Sequence, residues 1–140
     1  RGEWPNDVLI DGKKICGVLS ELTDQGVIAG IGINLERQQG APDSACAVGD
    51  FASADFDGAL SMVLAELRAS WLRWLSEGND YALGLIRSTS VTVGKKVRAI
   101  MPSQEEVVGT AVAIEFDGRL RIEGSETNLV SAADVWHLRN

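Results

Sequence analysis

Three short strings near the start of the chain contain residue types that handle phosphate and nucleotides. They are EWPND at 3–7, GKKICG at 12–17 and GIGIN at 30–34. Each combines Asn, Asp or Lys with glycines or a proline, which let the backbone come close to a ligand. These residue types indicate chemistry on a phosphate or a nucleotide within the first 34 residues.

The EWPND string predicts a stiff corner. Pro5 fixes its own backbone and cannot donate to a sheet, and Trp4 before it is pushed into an extended conformation. Asn6 and Asp7 then project from the corner. Pro-Asn-Asp is also an ordinary turn composition with Asx-type hydrogen bonds. By itself, the string leaves both interpretations open.

Two adjacent lysines lie at the mouth of a predicted hairpin. Lys13 is typical of a solvated turn. Strand alternation sends Lys14 to the opposite face, where its ammonium becomes a fixed, shielded charge if that face is the ligand side. Gly17, three residues later, leaves room beside it. The local pattern favours neither interpretation of Lys14.

The GIGIN string is not a dinucleotide fingerprint, because the third glycine is missing and a strand surrounds it. Gly30 and Gly32 are also typical of a tightly packed central strand. Asn34 ends that strand, where an amide could read a base edge.

The surrounding pattern predicts the elements that position these strings. A hairpin is expected over 8–10 and 14–22 through an Asp-Gly turn, followed by a third strand over 27–35. That strand is apolar and contains glycines, which predicts burial on both faces or close approach of a ligand.

From residue 56 the apolar residues recur at a helical period. Asp57 is a candidate N-cap, Gly78 a plausible stop, and a second helix is expected over 80–87. The predicted apolar stripe consists of Leu60, Val63, Leu64, Leu67, Trp71 and Leu75.

After Ser90 the composition becomes typical of strands. Runs at 91–93, 96–100, 106–115 and 119–123 predict a small all-β barrel. The domain boundary is therefore expected near residue 90, with domains at 1–90 and 91–140.

The composition narrows the function classes. The formal net charge is -7, which argues against a general nucleic-acid binder. No apolar run approaches the ~20 residues of a transmembrane helix. Two cysteines are too few for a disulfide framework or a structural zinc site, and Cys16 is expected to be a buried thiol. A cytoplasmic protein that binds no membrane is predicted.

Three other side chains are predicted to have structural roles rather than to bind a ligand. Trp71 and Trp74 on the predicted long helix favour core or interface packing over a cofactor stack. His137 has no metal-ligand companion in the sequence and is expected to be structural or exposed.

In order and spacing, the three strings resemble the biotin protein ligases. The similarity runs through the rest of the chain, which resembles the second half of their catalytic domain and their C-terminal domain. The implied fold class is α/β (α+β). It combines the second half of a class II synthetase-like mixed sheet with helices and a following small Src-homology-3-like β-barrel.

The resemblance implies a biotin–[acetyl-CoA-carboxylase] ligase that runs two half-reactions. Biotin and ATP form biotinyl-5′-adenylate, with Mg²⁺ sharing the stabilisation of charge at phosphorus. A lysine on the biotin-carrier domain of a carboxylase then takes the biotin. ATP, biotin, Mg²⁺ and that carrier domain are therefore the expected ligands and partner.

The resemblance also implies roles for individual residues. Lys14 matches the family's essential lysine, which contacts the biotin carboxyl and the α-phosphate. Asn6 and Asn34 match residues at the nucleotide, and Asp7 matches a polar residue near the phosphates and metal. Three glycines match backbone positions against biotin and the adenylate: Gly17, Gly30 and Gly32.

Two departures from the family qualify these expectations. Glu3 stands where the family commonly has lysine, which is expected to weaken ATP binding unless Glu3 points away or serves the metal. The family's arginine- and glycine-rich loop lies upstream of EWPND and is absent here. The chain is therefore expected to be a fragment, inactive alone, with an open apolar sheet edge that a homodimer would cover. The alternative is a non-catalytic module or degenerate paralogue that docks a carboxylase domain or a partner subunit.

Overall fold

A computed structural model describes residues 1–53, 55–131 and 133–138. The described residues form two compact units, one comprising 6–75 and the other comprising 1–5 together with 76–140. In chain order the elements are β1 (Gly2–Glu3), β2 (Asp7–Ile10), β3 (Lys13–Thr23), β4 (Gly26–Ile33), a 3₁₀ helix (Val48–Asp50), α1 (Phe56–Glu77), α2 (Asn79–Thr89), β5 (Lys96–Ile100), β6 (Glu106–Ile114), β7 (Leu120–Glu123), β8 (Thr127–Val130) and β9 (Asp134–His137).

The unit at 6–75 contains an antiparallel sheet in which β3 lies between β2 and β4. Asp11 and Gly12 connect β2 to β3, and both have positive φ, 49° and 76°. This is the backbone that an Asp-Gly hairpin turn requires. The predicted hairpin and third strand are therefore confirmed.

The sequence predicted that β4 is either buried on both faces or approached closely by a ligand. For the described residues, the prediction of burial on both faces is wrong. Seven of its eight residues are exposed, and Val27 and Ile28 keep 67% and 61% of their surface. The apolar composition that predicted a central strand thus produces a strand whose side chains face solvent in the described part of the unit.

Helix α1 begins one residue earlier than Asp57, the predicted N-cap. Asp55 caps it instead, since its Oδ1 accepts a hydrogen bond of 2.7 Å from the amide N–H of Gly58. Gly78, at φ 76°, separates α1 from α2 as predicted. The second helix, α2, is longer than the predicted 80–87.

The apolar stripe of α1 is not buried among the described residues. Trp71 and Trp74 are 53% and 37% exposed, and their rings meet edge to face with centroids 4.9 Å apart. The prediction that these two tryptophans pack in the core is therefore wrong for the described residues. That they pack in an interface stays a prediction. Neither described helix is long and apolar enough to cross a membrane.

The second unit contains a five-stranded antiparallel sheet in the order β8-β7-β6-β5-β9. We call this sheet with its core the barrel. Alternate residues of its strands point inward, as a strand's period of two requires. The most deeply buried apolar side chains of the strands are those of Val97, Ala99, Ala111, Leu120, Ile122 and Val130.

The predicted barrel strands over 96–100, 106–115 and 119–123 are confirmed as β5, β6 and β7. The expected strand at 91–93 is wrong. Ser90 Oγ accepts hydrogen bonds from the amides of Thr92 and Val93, at 3.2 and 3.3 Å, which bend the chain there. The sequence analysis did not predict β8 and β9.

Helix α2 precedes the barrel strands in the chain and contacts strand β6. Arg87 on α2 donates from Nε and Nη2 to the carbonyl of Ile114, at 2.8 and 2.6 Å. Helix α2 therefore lies in the same compact unit as the barrel. The domain boundary near residue 90 stays a prediction.

A side chain does not fit at Gly109 on β6, and this position gives a stability prediction. A Cβ on Gly109 would clash with the Glu123 carbonyl and lie 2.8 Å from Ile122 Cγ2. We expect Gly109→Ala to lower the free energy of unfolding by about 2–3 kcal/mol, because packed backbone must move. Gly84→Ala is the matched control. It lies on α2 with open space around it and is expected to stabilise by about 0.5–1 kcal/mol. Urea denaturation measures both, and equal effects would contradict the prediction.

Candidate functional site

The hairpin brings Lys14 and Asp7 together. Asp7 begins β2 and Lys14 is the second residue of β3, and the register places Asp7 opposite Gly17. Lys14 Nζ lies 2.7 Å from Asp7 Oδ1. The lysine side chain keeps 49% of its surface, so a ligand can reach the ammonium. The pair is thus a positioned cation that remains open to solvent.

Gly17 lies against this pair. A Cβ at Gly17 would be 3.5 Å from Lys14 Cε and 3.6 Å from both Lys14 Nζ and Asp7 Oδ1. Alanine would make ordinary contact there, whereas any larger side chain would compete for the space beside the ammonium. Three of the sequence-predicted site residues therefore form one cluster.

The segment after β4 holds the main chain of Lys14. The Lys14 amide donates to the Ser44 carbonyl at 2.8 Å, and the Lys14 carbonyl accepts from the Cys46 amide at 2.9 Å. These bonds fix the backbone from which the lysine side chain extends.

Asn34 joins the same network. Its amide N–H donates to the Ile15 carbonyl at 2.9 Å, and its Nδ2 donates to the Cys46 carbonyl at 3.0 Å. The side-chain N–H groups thus serve the fold. A ligand contact by Asn34 would therefore use its side-chain oxygen.

The remaining predicted site residues are less closely tied to the lysine. Gly32 lies directly opposite Gly17 across the β3–β4 ladder, and Gly30 lies opposite Leu19. The two facing glycines leave a strip of sheet without side chains. Asn6 is exposed, and its carbonyl accepts from the Val18 amide at 2.9 Å.

The structure adds a groove that the sequence analysis missed. It is a cleft of about 1130 Å³ formed by the end of β4 and the segment that follows, and it includes Asn34 and Cys46. Arg37 lines it, 3.9 Å from Asp43. A signal was available, because Arg37 is the only Lys or Arg between Lys14 and Arg68.

A metal site built only from protein side chains is not formed by residues 1–53, 55–131 and 133–138. They contain no group of three His, Cys, Asp or Glu that could hold an ion. Asp7 is the carboxylate beside Lys14 and is already paired with that cation. Asp7 as a metal ligand stays a prediction.

Glu3 lies beside His137, a residue of the same compact unit. Its Oε1 lies 3.4 Å from Nε2 of His137, and both side chains are about three-quarters buried. His137 is therefore structural, as one of the two expectations had it. The effect of Glu3 on ATP binding stays a prediction.

The thiol of Cys16 reports on the charges of the site. Burial raises the pKa of Cys16, the carboxylate of Asp7 raises it further, and the ammonium of Lys14 lowers it. Cys16 is also buried, as predicted. The thiol therefore stays protonated to higher pH than an ordinary cysteine.

Alkylation of Cys16 tests this arrangement without any assay of activity. Because only the thiolate reacts, we expect labelling by iodoacetamide near neutral pH to be slower than for an ordinary thiol and to rise as pH rises. Asp7→Asn removes a charge that raises the pKa and is expected to speed labelling. Lys14→Ala removes a charge that lowers it and is expected to slow labelling. Peptide mass spectrometry separates Cys16 from Cys46, and shifts in the same direction for both variants would contradict the geometry.

Comparison with known proteins gives consistent matches at both ends of the chain. Residues 1–37 match the Biotin/lipoate A/B protein ligase family, and residues 92–138 match the Biotin protein ligase C terminal domain. These are the regions of the three strings and of the barrel.

Individual relatives match nearly the whole chain. A biotin–[acetyl-CoA-carboxylase] ligase of Mycobacterium tuberculosis is 36% identical across 98% of the chain and 53% of the relative. The bifunctional ligase/repressor BirA of Bacillus subtilis is 29% identical across 95% of the chain and 45% of the relative. The chain therefore spans about half the length of these curated relatives.

Solved structures share the fold. The biotin protein ligase of Aquifex aeolicus superposes with a TM-score of 0.83 at 23% identity, over 97% of this chain and 64% of the other. The same enzyme in complex with biotin and ATP gives a TM-score of 0.79, over 97% of this chain and 61% of the other. These matches confirm the resemblance to the biotin protein ligases and the α+β fold class. In sequence and in fold, the chain is similar to these biotin protein ligases.

Proposed function

We propose that the protein containing this chain is an ATP-dependent biotin–[acetyl-CoA-carboxylase] ligase. The observation that carries the proposal is the accessible Lys14 ammonium, which Asp7 holds at 2.7 Å beside the bare backbone of Gly17. The names of the curated relatives support this reaction. Because the chain spans about half of those relatives, the activity is proposed for the whole protein.

In the first half-reaction, a biotin carboxylate oxygen forms a bond to the α-phosphorus of ATP, and pyrophosphate leaves. Negative charge concentrates on the phosphoryl oxygens in the transition state. A cation already held in place stabilises that charge without reorganisation. Lys14 would supply the cation, Asp7 would orient it, and Gly17 would leave space for the reacting groups.

In the second half-reaction, an uncharged lysine amine of a carboxylase's biotin-carrier domain attacks the acyl carbon of biotinyl-5′-adenylate. AMP leaves and an amide forms. Gly30 and Gly32 on exposed β4 would admit the adenylate, and Asn6 and Asn34 would contact the nucleotide. Mg²⁺ would be held mainly by phosphate oxygens, with Asp7 as its protein carboxylate. A cytoplasmic location fits this reaction and stays a prediction.

The alternative is a binding module that docks a carboxylase domain or a partner subunit without catalysis. The exposed apolar surface of β4 and α1, including Val27, Ile28 and Trp71, favours this second candidate. The same surface motivates the predicted homodimer, which sedimentation equilibrium tests.

The experiment that separates the two candidates uses protein expressed from the complete gene. It is incubated with biotin, ATP and a carboxylase biotin-carrier domain. We expect biotin-dependent release of pyrophosphate and AMP, together with a biotinylated carrier domain by intact mass. Binding of the carrier domain without any biotin-dependent pyrophosphate release would overturn the ligase and support the module.

A further inference from the structure

We propose that Asp50 is a positioning residue that acts through Lys14. Its carboxylate fastens residues 44–50, a segment that we call the clasp, and the clasp holds the main chain of Lys14. The proposal rests on the proposed function, to which it adds a residue from outside the three strings. All of the contacts that carry it lie within the compact unit at 6–75.

The first residues of the clasp run beside Lys14, where Ala45 forms a parallel bridge with it. Both main-chain groups of Lys14 bond to the clasp, since its amide donates to the Ser44 carbonyl at 2.8 Å and its carbonyl accepts from the Cys46 amide at 2.9 Å. Cys46 is 3% exposed, and its Sγ donates to the Lys13 carbonyl at 3.5 Å. The clasp therefore fixes the backbone from which the lysine side chain extends.

The last residues of the clasp are attached to the end of β4 and the residues that follow it. The amides of Val48 and Gly49 donate to the carbonyls of Asn34 and Leu35, at 2.8 and 2.9 Å respectively. The Asn34 side chain adds a bond from Nδ2 to the Cys46 carbonyl at 3.0 Å. The clasp is thus bonded to β3 at one end and to the residues after β4 at the other.

Ala47 joins these two attached parts and is 1% exposed. Asp50 Oδ2 accepts a hydrogen bond of 3.0 Å from the Ala47 amide, and the Asp50 amide donates to the Ala47 carbonyl at 3.1 Å. Loss of the carboxylate would take this acceptor from a buried N–H group, which costs more than loss of an exposed hydrogen bond. Asp50 itself is exposed, so its side chain can be replaced without opening a cavity in the core.

A loosened clasp would displace the Lys14 ammonium. Between β4 and the 3₁₀ helix the described chain forms no helix or strand of its own, so individual hydrogen bonds hold the clasp in place. A shift of the Lys14 backbone would be carried to Nζ, which lies 2.7 Å from Asp7 Oδ1. Misplacement of a reacting group on the order of 1 Å is enough to slow an enzymatic reaction strongly.

Three variants separate the hydrogen bond from the charge. Asp50→Ala removes the acceptor, whereas Asp50→Asn keeps the shape of the side chain and an oxygen that can accept the same bond. Asp43→Ala is the matched control. It removes a fully exposed carboxylate from the same connection, 3.9 Å from Arg37 Nη2, and leaves the Ala47 amide bonded to Asp50.

The experiment uses protein expressed from the complete gene. Hydrogen exchange of the Lys14 amide, followed by NMR, reports the contact with the clasp directly. We expect it to be about tenfold faster in Asp50→Ala and within about twofold of the wild type in Asp50→Asn and Asp43→Ala.

The same variants are assayed for single-turnover formation of biotinyl-adenylate. We expect the rate to fall about fivefold in Asp50→Ala and to stay within about twofold of the wild type in Asp50→Asn and Asp43→Ala. In a Lys14→Ala background, Asp50→Ala is expected to cause no further loss, because its effect passes through the ammonium. A general weakening of the fold would instead lower the rate equally in both backgrounds.

Three outcomes overturn the proposal: unchanged exchange of the Lys14 amide in Asp50→Ala, faster exchange without a slower reaction, or an equal loss of rate with and without Lys14. Amide exchange needs no activity. A wild type without biotin-dependent pyrophosphate release therefore overturns the proposed function, and unchanged exchange overturns the positioning role. If Asp50→Ala does not fold, Asp50→Ser replaces it, since its shorter side chain ends before the carboxylate oxygens. It is expected to raise the exchange about threefold, and no rise would overturn the proposal.

Discussion

Replacement of Lys14 by alanine is expected to lower the rate of biotinyl-adenylate formation by roughly two to three orders of magnitude. Loss of one preorganised transition-state cation costs about 3–4 kcal/mol. Stability is expected to change by less than about 1 kcal/mol, since the lysine side chain is half exposed and the side chain of Asp7 keeps 23% of its surface. Single-turnover pyrophosphate release in protein from the complete gene measures the rate, and thermal unfolding measures stability.

Lys13→Ala is the matched control. Lys13 is the neighbouring residue of the same strand, but alternation directs its side chain to the other face. We expect less than about a threefold change in the same assay. Equal and small effects of the two substitutions would show that the lysine pair is a solvated turn, and the assignment of Lys14 would be wrong.

Asp7→Asn is expected to lower kcat/KM for ATP by about one to two orders of magnitude. Asparagine keeps the shape of the side chain but removes the charge that holds the Lys14 ammonium at 2.7 Å. Because Asp7 and Lys14 would act as a unit, the double variant is expected to be little worse than Lys14→Ala alone. Steady-state kinetics of the two single variants and the double variant give this coupling directly.

Asp11→Asn controls for the loss of a carboxylate from the same hairpin. Asp11 lies in the turn at φ 49°, a conformation that asparagine accepts readily. Its activity is expected to stay within about twofold of the wild type. Fully additive losses in the Asp7 and Lys14 variants would contradict a shared role and leave Asp7 with a separate one.

The local elements of this chain follow from short-range patterns. Asp11-Gly12 favours one backbone conformation, the tight hairpin turn, and the flanking apolar residues form the two strands on either side of it. The helical period after residue 56 and the glycine at 78 define α1 in the same way. For these elements, neighbours within a few residues supply most of the relevant free energy.

The differences arise where longer-range contacts decide. The segment at 91–93 has strand-forming residues, yet Ser90 and Trp4 draw its backbone and the Thr92 hydroxyl into other hydrogen bonds. The segment Asp134–His137 forms strand β9 because it pairs with β5, which is distant along the chain. Apolar composition also did not reveal that β4 faces solvent, because burial depends on what covers a strand.

The amino-acid sequence by itself determined the candidate residues Lys14, Asp7 and Gly17 and the family that they resemble, since these follow from residue types in a fixed order. Only the tertiary structure decided that the ammonium pairs with Asp7, and that the segment after β4 holds the backbone of Lys14. It also decided that Trp4 belongs to the barrel core. The physical reason is that side-chain pairing and burial depend on register and packing between residues far apart in the chain, which local patterns do not encode.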